Sequence, residues 1–167
     1  MSDQEFVYDV VIVGAGPAGL GAAIRLKQLD KDLKVCLLEK GAEVGRHILS
    51  GAVIDPRALS ELFPDWKERG APLSCPVSDD NFLFLTSHKS FRLPVPPQMR
   101  DKGNYVASLS ALCQWLAKEA ESMGVEIYPG FAGAHFLFNE KREVAGVETG
   151  PLGLDHQGNP TPKFEPG

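Results

Sequence analysis

The feature that most constrains this chain is a glycine-rich turn between an apolar segment and a helical segment near its start. Residues 8–13 (YDVVIV) are apolar and rich in β-branched side chains, which predicts a strand buried on both faces. The glycines of GAGPAG follow at residues 14–19, AGLGAAIRLKQL then predicts a helix, and LKVCLLEK predicts a second buried strand ending at Glu39. Residues 8–40 therefore predict a βαβ dinucleotide-binding unit.

Each glycine of this turn has a separate physical role. Gly14 permits a tight turn, Gly16 lets the backbone approach a pyrophosphate, and Gly19 lets the helix pack closely on the strand. The N-terminus of the helix offers N–H groups and the positive end of its dipole to an anion. Glu39 can accept hydrogen bonds from ribose hydroxyls and would repel a 2′-phosphate, which disfavours NADP. The alternative is a glycine turn that holds no ligand.

The chain after Glu39 bears on the choice between FAD and NAD, which share an ADP half. It is predicted to be irregular from Gly41 to Pro56, where glycines and a serine hydroxyl could approach a long, extended ligand. This favours FAD, although an ordinary surface loop would look the same. The predicted cofactor-binding residues are Gly14, Gly16, Pro17, Ala18, Gly19, Glu39, Lys40, Gly45, Ser50 and Gly51.

The remaining segments predict an α/β fold of the Rossmann type, incomplete and carrying an antiparallel β-hairpin insertion. RALSELF predicts a short helix, NFLFLTS with SFRLPV an antiparallel pair, and residues 108–123 a helix capped by Ser108. VEIYPG predicts a third parallel strand, and AHFLFNEKREVAGVETG a hairpin turning at NEKR. Residues 150–167, dense in Gly and Pro, predict a loop. Without a further parallel strand, the sheet should present an unpaired edge.

Composition excludes several classes of protein. A net charge of −5 without a basic cluster argues against nucleic acid as a partner, and no apolar run approaches the roughly 20 residues of a membrane-spanning helix. The polar start MSDQEF argues against a presequence. Cys36, Cys75 and Cys113 are too far apart for a metal site and are interpreted as reduced, structural thiols. The four histidines share no metal spacing, and no nucleophile–base arrangement is visible, so the catalytic residues are unknown.

Longer phrases resemble a known family. The most specific is LSGAVIDPRAL, followed closely by ELFPDWKERGAPL; the others are RLPVPP, GNYVASL, LAKEAESMGVEIYPGFA and LDHQGNPTPKFEPG. Together they resemble the electron transfer flavoprotein-ubiquinone oxidoreductases. The similarity covers essentially all 167 residues but only the N-terminal part of that much longer family.

The resemblance implies an FAD enzyme with a glutathione-reductase-type fold. Such an enzyme takes electrons from reduced electron transfer flavoprotein and passes them to ubiquinone. The family also carries a 4Fe-4S cluster near its C-terminus, for which this segment holds no ligands. This chain alone is therefore expected to be inactive. The implied location is peripheral on the inner membrane of a bacterium, or on the mitochondrial inner membrane if a presequence has been removed.

The resemblance also implies a membrane-contact segment, matched here by residues 44–66. Its short helix could enter one leaflet through the apolar side chains of Leu59, Leu62, Phe63 and Trp66. The alternative is that these side chains simply pack within the protein.

Two other functions remain open. One is a related flavin reductase or hydroxylase similar to geranylgeranyl reductases. The other is a flavin-free interaction protein of the same fold, against which the retention of Glu39 and the three motif glycines argues.

Overall fold

The computed structural model describes residues 6–49, 51–154, 157 and 159–165. The chain divides into two compact units, unit 1 with residues 1–49 and 113–167 and unit 2 with residues 50–112. In chain order the elements are β1 (Val10–Val13), α1 (Pro17–Leu29), β2 (Val35–Glu39), β3 (Gly51–Ile54), α2 (Arg57–Leu62), β4 (Cys75–Pro76), β5 (Phe82–Leu85), β6 (Ser90–Leu93), a 3₁₀ turn (Pro97–Met99), β7 (Tyr105–Ser108), α3 (Leu109–Ser122), β8 (Glu126–Pro129), β9 (Gly133–Phe138), β10 (Val144–Thr149), β11 (Leu152–Leu154) and β12 (Pro160–Glu165).

Unit 1 is built on a parallel sheet in the order β1-β2-β8. Its central strand β2 is the most buried, with Val35 and Leu37 almost inaccessible, as expected of an apolar run covered on both faces. Leu20 and Ile24 of α1 are fully buried as well. The predicted strand–helix–strand order and the third parallel strand are confirmed.

The helix that precedes β8 is also confirmed, with small shifts at its ends. The Ser108 hydroxyl accepts a hydrogen bond from the Ala111 N–H at 3.2 Å, so this serine caps α3 as predicted. Gly124, just beyond the helix, has φ +85°, a conformation that favours glycine.

Each outer strand of this sheet, β1 and β8, has one edge without a strand partner in the described residues, and the backbone hydrogen bonds identify that edge of β1. The N–H of Val10 donates to Lys34 O at 3.2 Å and that of Gly14 to Leu38 O at 2.7 Å, so alternate residues of β1 bond to β2. The N–H groups of Val11 and Val13 therefore point away from β2. Within the described ranges, no strand pairs with this outer edge. The unpaired edge predicted from the sequence is present.

β9 and β10 form the predicted hairpin, which turns at Asn139. The Asn139 side-chain oxygen accepts the N–H groups of Lys141 and Glu143, both at 2.9 Å, and its amide donates to the Glu143 carboxylate at 2.9 Å. Arg142 in this turn has φ +63°, the left-handed region that favours glycine or asparagine. An arginine there stores backbone strain.

Replacing Arg142 with glycine should therefore stabilise the protein by about 0.5–1 kcal/mol, because the left-handed conformation no longer strains a β-carbon. The matched control is Lys141→Gly in the same turn. That glycine only adds freedom to the unfolded chain and should cost about 0.5–1 kcal/mol. Urea unfolding measures both. Equal effects of the two substitutions would contradict the assignment of strain to Arg142.

The prediction of a loop over residues 150–167 is wrong for two segments. β11 and β12 pair antiparallel, with Leu152 opposite Glu165 and Leu154 opposite Pro160. The Thr161 hydroxyl donates to the Gly153 carbonyl at 2.6 Å. Prolines are compatible with a strand whose N–H groups are not all needed for pairing, as in a two-stranded sheet. The two strands are short and lack a regular alternation of apolar and polar residues, so local periodicity does not indicate them.

Unit 2 contains an antiparallel sheet in the order β3-β7-β4. The irregular segment predicted over Gly41–Pro56 is wrong for β3, whose Gly51 lies opposite Ser108 of β7. The sequence analysis also missed β7. Both strands are only four residues long, so tertiary pairing rather than propensity determines them.

The predicted membrane-contact face is not exposed. Leu59, Phe63 and Trp66 are 4–7% accessible, and Leu62 is half-buried. The Trp66 indole N–H donates to Ser60 Oγ at 3.0 Å, and its ring lies edge-on to Tyr105 at 5.5 Å. These four side chains therefore do not form the exposed membrane-contact face that the sequence analysis predicts. The apolar side of α2 is used for packing within the protein, as apolar stripes of short helices commonly are.

β5 and β6 are the most exposed strands of unit 2, and we call them the β5–β6 hairpin. All eight of their residues are exposed, including Phe84 at 58%, Leu85 at 67% and Phe91 at 51%. The hairpin itself was predicted from the sequence and is confirmed, but the exposure of its aromatic side chains was not predicted.

Three oxygen atoms meet on the parallel sheet of unit 1. The hydroxyls of Tyr8 and Tyr128 each donate to Glu126 Oε2 at 2.6 Å and lie 2.6 Å from each other. The hydrogen bonds from Tyr128 and Tyr8 hold the pKa of Glu126 below its usual value. Because Tyr8 precedes β1 and Glu126 begins β8, this cluster ties the two outer strands together.

The cluster predicts a loss of stability in acid. A carboxyl group with a lowered pKa in the folded state stabilises the fold above its unfolded pKa, about 4.3, and the contribution is lost as the pH falls through the folded value. The free energy of unfolding, measured between about pH 6 and pH 3, should therefore fall less steeply in Glu126→Gln than in the wild type. Glu121→Gln, on the exposed surface of α3, is the control. Identical slopes for wild type and Glu126→Gln would refute the role of the cluster.

Candidate functional site

The glycine turn connects the carboxyl end of β1 to the N-terminus of α1. Gly14 has φ +105°, which a residue with a β-carbon rarely adopts. Gly16 is the N-cap of α1, and Pro17 occupies its first turn, where the absence of an N–H costs nothing. A β-carbon on Gly16 would meet no heavy atom within 4 Å, so the backbone here borders open space. The helix N-terminus thus faces a volume that an anionic ligand could enter.

Gly19 has the opposite environment. A β-carbon there would collide with the carbonyl oxygen of Gly14 and lie 3.2 Å from Cγ2 of Ile12. The close helix–strand packing predicted at Gly19 is therefore present. Ala18, the residue before it, occupies the first turn of α1.

Glu39 lies at the end of β2 and contacts the turns on either side of it. Its Oε2 accepts the N–H of Ala15 at 2.9 Å, and its Oε1 accepts the N–H of Gly41 at 2.7 Å. A carboxylate offers about four acceptor positions, so two remain for a ligand. The structure thus brings Glu39 and the glycine turn together, as their spacing in the sequence predicts; binding to a ribose stays a prediction.

A cavity of about 170 Å³ lies at this edge of the sheet. It extends beyond the predicted residues, because the connection that follows β8 contributes to its wall. Ala132 and Gly133 were missed from the sequence, although a third parallel strand brings its own carboxyl-end connection to the same edge. The lining residues are Val13, Gly14, Leu38, Glu39, Lys40, Ala132 and Gly133.

Gly45 and Gly51, two further predicted cofactor residues, are not among the residues that line this cavity. Gly45, with φ +82°, forms a turn in which the Ile48 N–H donates to its carbonyl at 3.1 Å. Gly51 is a strand residue of unit 2, and its β-carbon would lie 3.0 Å from the Ala107 carbonyl oxygen. Ser50 lies outside the described residues. The candidate site therefore consists of the glycine turn Gly14–Gly19, Glu39 and the other residues that line the cavity.

The cysteines do not contribute to this site. Cys36 and Cys113 are buried and Cys75 is exposed. Burial raises the pKa of Cys36 to about 11, with a further contribution from Glu126, and burial also raises the pKa of Cys113. Across the described part of the chain, no three His, Cys, Asp or Glu side chains are grouped as metal ligands would be, and no helix is long and apolar enough to cross a membrane.

The cavity and the adjoining glycine turn therefore offer backbone N–H groups, a carboxylate and close backbone approach. These groups can hold an anionic nucleotide and orient its sugar, while the redox chemistry comes from the ligand. A glycine turn against open space and an acceptor with two free positions fit the ADP half of a dinucleotide.

Two relatives with curated names are similar over nearly the whole chain. One is the mitochondrial electron transfer flavoprotein-ubiquinone oxidoreductase of Dictyostelium discoideum, 55% identical over 99% of this chain and 28% of its own length. The other is the electron transfer flavoprotein-ubiquinone oxidoreductase of Pseudomonas aeruginosa, 55% identical over 96% of this chain and 30% of its own length. The resemblance found in the sequence is confirmed, and the chain spans under a third of the length of these relatives.

The fold recurs in solved flavoenzymes. The myxobacterial chondrochloren halogenase, a variant of the FAD-dependent halogenases, superposes with a TM-score of 0.58 at 18% identity, over 93% of this chain and 35% of the halogenase. At this identity the likeness concerns the fold alone. The family model of the pyridine nucleotide-disulphide oxidoreductases matches residues 8–146, which include the glycine turn, Glu39 and all three parallel strands. The chain therefore belongs to the pyridine nucleotide-disulphide oxidoreductase family.

Proposed function

We propose that this chain is the N-terminal, FAD-binding part of an electron transfer flavoprotein-ubiquinone oxidoreductase. The observation that carries the proposal is the cavity at the ends of β1 and β2, where the open glycine turn faces Glu39. The identity of 55% to two named oxidoreductases favours this enzyme over a geranylgeranyl-reductase-like protein. The full protein would pass two electrons, with two protons, from reduced electron transfer flavoprotein to each ubiquinone.

In this proposal the residues of the chain bind and orient the cofactor. The N–H groups at the start of α1 would bind the pyrophosphate, and Gly16 leaves room for its approach. Glu39 would accept hydrogen bonds from the ribose hydroxyls, and Lys40, Ala132 and Gly133 line the cavity that the nucleotide would occupy. Bound FAD would supply the redox chemistry of its isoalloxazine. Neither the buried Cys36 and Cys113 nor the isolated Cys75 is proposed as a ligand of the family's 4Fe-4S cluster.

The visible absorption spectrum of the purified chain, after addition of FAD and gel filtration, tests the binding proposal. A flavin band should stay with the wild type. Gly16→Ala should fold normally, since its β-carbon meets open space, yet bind FAD at least about tenfold more weakly, because the methyl group occupies the approach of the pyrophosphate. Gly21→Ala, a helical glycine also against open space, is the matched control. If wild type and Gly16→Ala retain FAD equally, the proposed site is wrong.

A colourless chain has two explanations, which the same measurement on the full-length protein separates. A full-length protein that retains FAD would show that the remainder of the site is needed, whereas a colourless full-length protein would favour the flavin-free interaction protein of the same fold. Addition of NAD in a parallel binding measurement separates this outcome from a preference for the other dinucleotide. A chain that binds NAD and not FAD would also contradict the proposed flavoenzyme.

We further propose that membrane contact, which the resemblance implies, is made by the β5–β6 hairpin. Its aromatic side chains are exposed, whereas Leu59, Phe63 and Trp66 are buried and Leu62 is half-buried. The turn of the hairpin carries His88 and Lys89, so basic residues accompany the apolar ones, whereas Arg92 on β6 pairs with Asp79 at 3.4 Å. Peripheral segments that bind anionic lipid combine these two features.

Co-sedimentation with vesicles of phosphatidylcholine and phosphatidylglycerol tests this contact. The double variant Phe84→Ser, Phe91→Ser should lower the bound fraction, because it removes two exposed aromatic rings. Phe136→Ser with Phe138→Ser is a matched control, since these rings are equally exposed on the β9–β10 hairpin of unit 1. If only the control pair lowers the bound fraction, the contact lies on the β9–β10 hairpin and the proposal for the β5–β6 hairpin is wrong.

A further inference from the structure

The carboxylate of Glu39 is already hydrogen-bonded to the protein backbone in this structure. Both of its oxygens accept backbone N–H groups, one from the turn after β1 at Ala15 and one from the turn after β2 at Gly41. The carbonyl of Gly41 in turn accepts the N–H of Gly130, just after β8, at 2.8 Å. A continuous set of hydrogen bonds therefore runs across all three connections at the carboxyl edge of the sheet.

From this geometry we infer that Glu39 is a positioning residue: it holds the glycine turn in its binding conformation before any dinucleotide arrives. A turn at Gly14 and Gly16 is conformationally free in the unfolded chain, because glycine restricts the backbone least. Hydrogen bonds to a charged acceptor are stronger than those between neutral groups. Fixing the Ala15 N–H in this way lowers the ordering cost of binding, as pre-organised sites do.

The surroundings of Gly41 support this inference. A β-carbon on Gly41 would lie 3.0 Å from Glu39 Oε1 and 3.1 Å from the Glu43 carbonyl oxygen. Both contacts are tight for a β-carbon, so a side chain at this position would require the carboxylate or the Glu43 carbonyl to shift by a few tenths of an ångström. The small residue after Lys40 is thus part of the same arrangement.

The two remaining acceptor positions of Glu39 are left for the ribose hydroxyls, which rests, like the binding role of the turn, on the proposed function. The carboxylate then serves the protein and the ligand at the same time. A glutamine could not do so, because its amide has one acceptor oxygen and would turn an N–H donor toward one of the two backbone donors.

Amide hydrogen exchange in the cofactor-free chain, followed by NMR, tests the inference. In Glu39→Gln, exchange at Ala15 or Gly41 should quicken by about 10- to 100-fold and its amide proton should move upfield, while exchange at Leu37 in the central strand stays unchanged. Glu43→Gln is the control, because its side chain is exposed on the same connection and touches Arg46 only at 3.9 Å. Unchanged exchange at both Ala15 and Gly41 would overturn the inference.

Gly41→Ala provides a second, independent variant that leaves Glu39 in place. Its methyl group should push the carboxylate away and quicken exchange at Ala15, 26 positions earlier in the chain, and FAD should bind at least about tenfold more weakly. If Glu39→Gln fails to fold, exchange at Ala15 in Gly41→Ala decides the inference. A Gly41→Ala chain that binds FAD like the wild type would overturn the positioning role. If neither this chain nor the full-length protein binds FAD, the proposed function is refuted, whereas the exchange data at Ala15 and Gly41 still decide the inference.

Discussion

Replacing Gly19 with alanine should cost about 3 kcal/mol of unfolding free energy, the upper end for overpacking, because the added methyl group collides with backbone. The atom in its way is the carbonyl oxygen of Gly14, which cannot rotate aside as a side chain can. Helix α1 must therefore move off the turn or the turn must open. Either movement also disturbs the N–H groups that the proposed ligand needs, so FAD binding should be lost as well.

Urea unfolding of three alanine variants separates the roles of neighbouring glycines. Gly21→Ala should stabilise the chain by up to about 1 kcal/mol, since alanine is the better helix former and the position is open. Gly16→Ala should leave stability nearly unchanged and weaken only FAD binding. Gly19→Ala should lose both. If Gly19→Ala unfolds within about 0.5 kcal/mol of the wild type, the close contact between α1 and the turn is refuted.

Replacing Lys27 with methionine should cost about 2–5 kcal/mol, because it leaves two carbonyl groups without their donor. Lys27 is buried at 8% exposure, and its ammonium group donates to the carbonyl oxygens of Lys31 at 2.5 Å and Leu33 at 2.9 Å. These carbonyls belong to the connection from α1 to β2. Methionine keeps most of the volume of the side chain, so the loss isolates the hydrogen bonds.

Lys31→Met is the matched control for this effect. The Lys31 side chain is exposed, and its carbonyl, which Lys27 uses, is kept in the variant. Its unfolding free energy should stay within about 0.5 kcal/mol of the wild type. Thermal and urea unfolding would measure both variants. Equal stability of the two methionine variants would show that the ammonium group is not needed to hold this connection.

Local patterns explain why much of unit 1 could be predicted from the sequence. The apolar run of β1, the glycine turn and the apolar run of β2 are each continuous in the chain, and their chemistry is legible within a few residues. Ser108 and Gly124 similarly mark the ends of α3 in the sequence itself. Such elements require no knowledge of what they pack against.

The remaining elements depend on pairing and packing that local sequence patterns do not show. β3 and β7 are short strands that exist because they pair with each other, and β11 and β12 contain prolines that local analysis assigns to a loop. The burial of Trp66 depends on Ser60 and Tyr105. A helix with an apolar side looks the same in sequence whether that side meets lipid or protein.

The candidate site was likewise predictable only for the residues that follow a local sequence pattern. The spacing of Gly14, Gly16, Gly19 and Glu39 identifies a dinucleotide-binding turn and its acidic partner. The role of Ala132 and Gly133 depends on β8 pairing with β2, and the bond from Gly41 to Gly130 depends on the same pairing. Neither relation can be obtained from a stretch of sequence near the glycine turn.

The pairing of β3 with β7 also has a consequence for the order of folding. Residues 40–125 separate β2 from β8, and closing such a long loop is entropically costly. Because Gly51 lies opposite Ser108, prior formation of β3 and β7 reduces the loose chain to residues 40–50 and 109–125. This roughly threefold shortening lowers the closure cost by about 1 kcal/mol. Substitutions that weaken unit 2 should therefore slow the completion of the parallel sheet, even though they lie outside it.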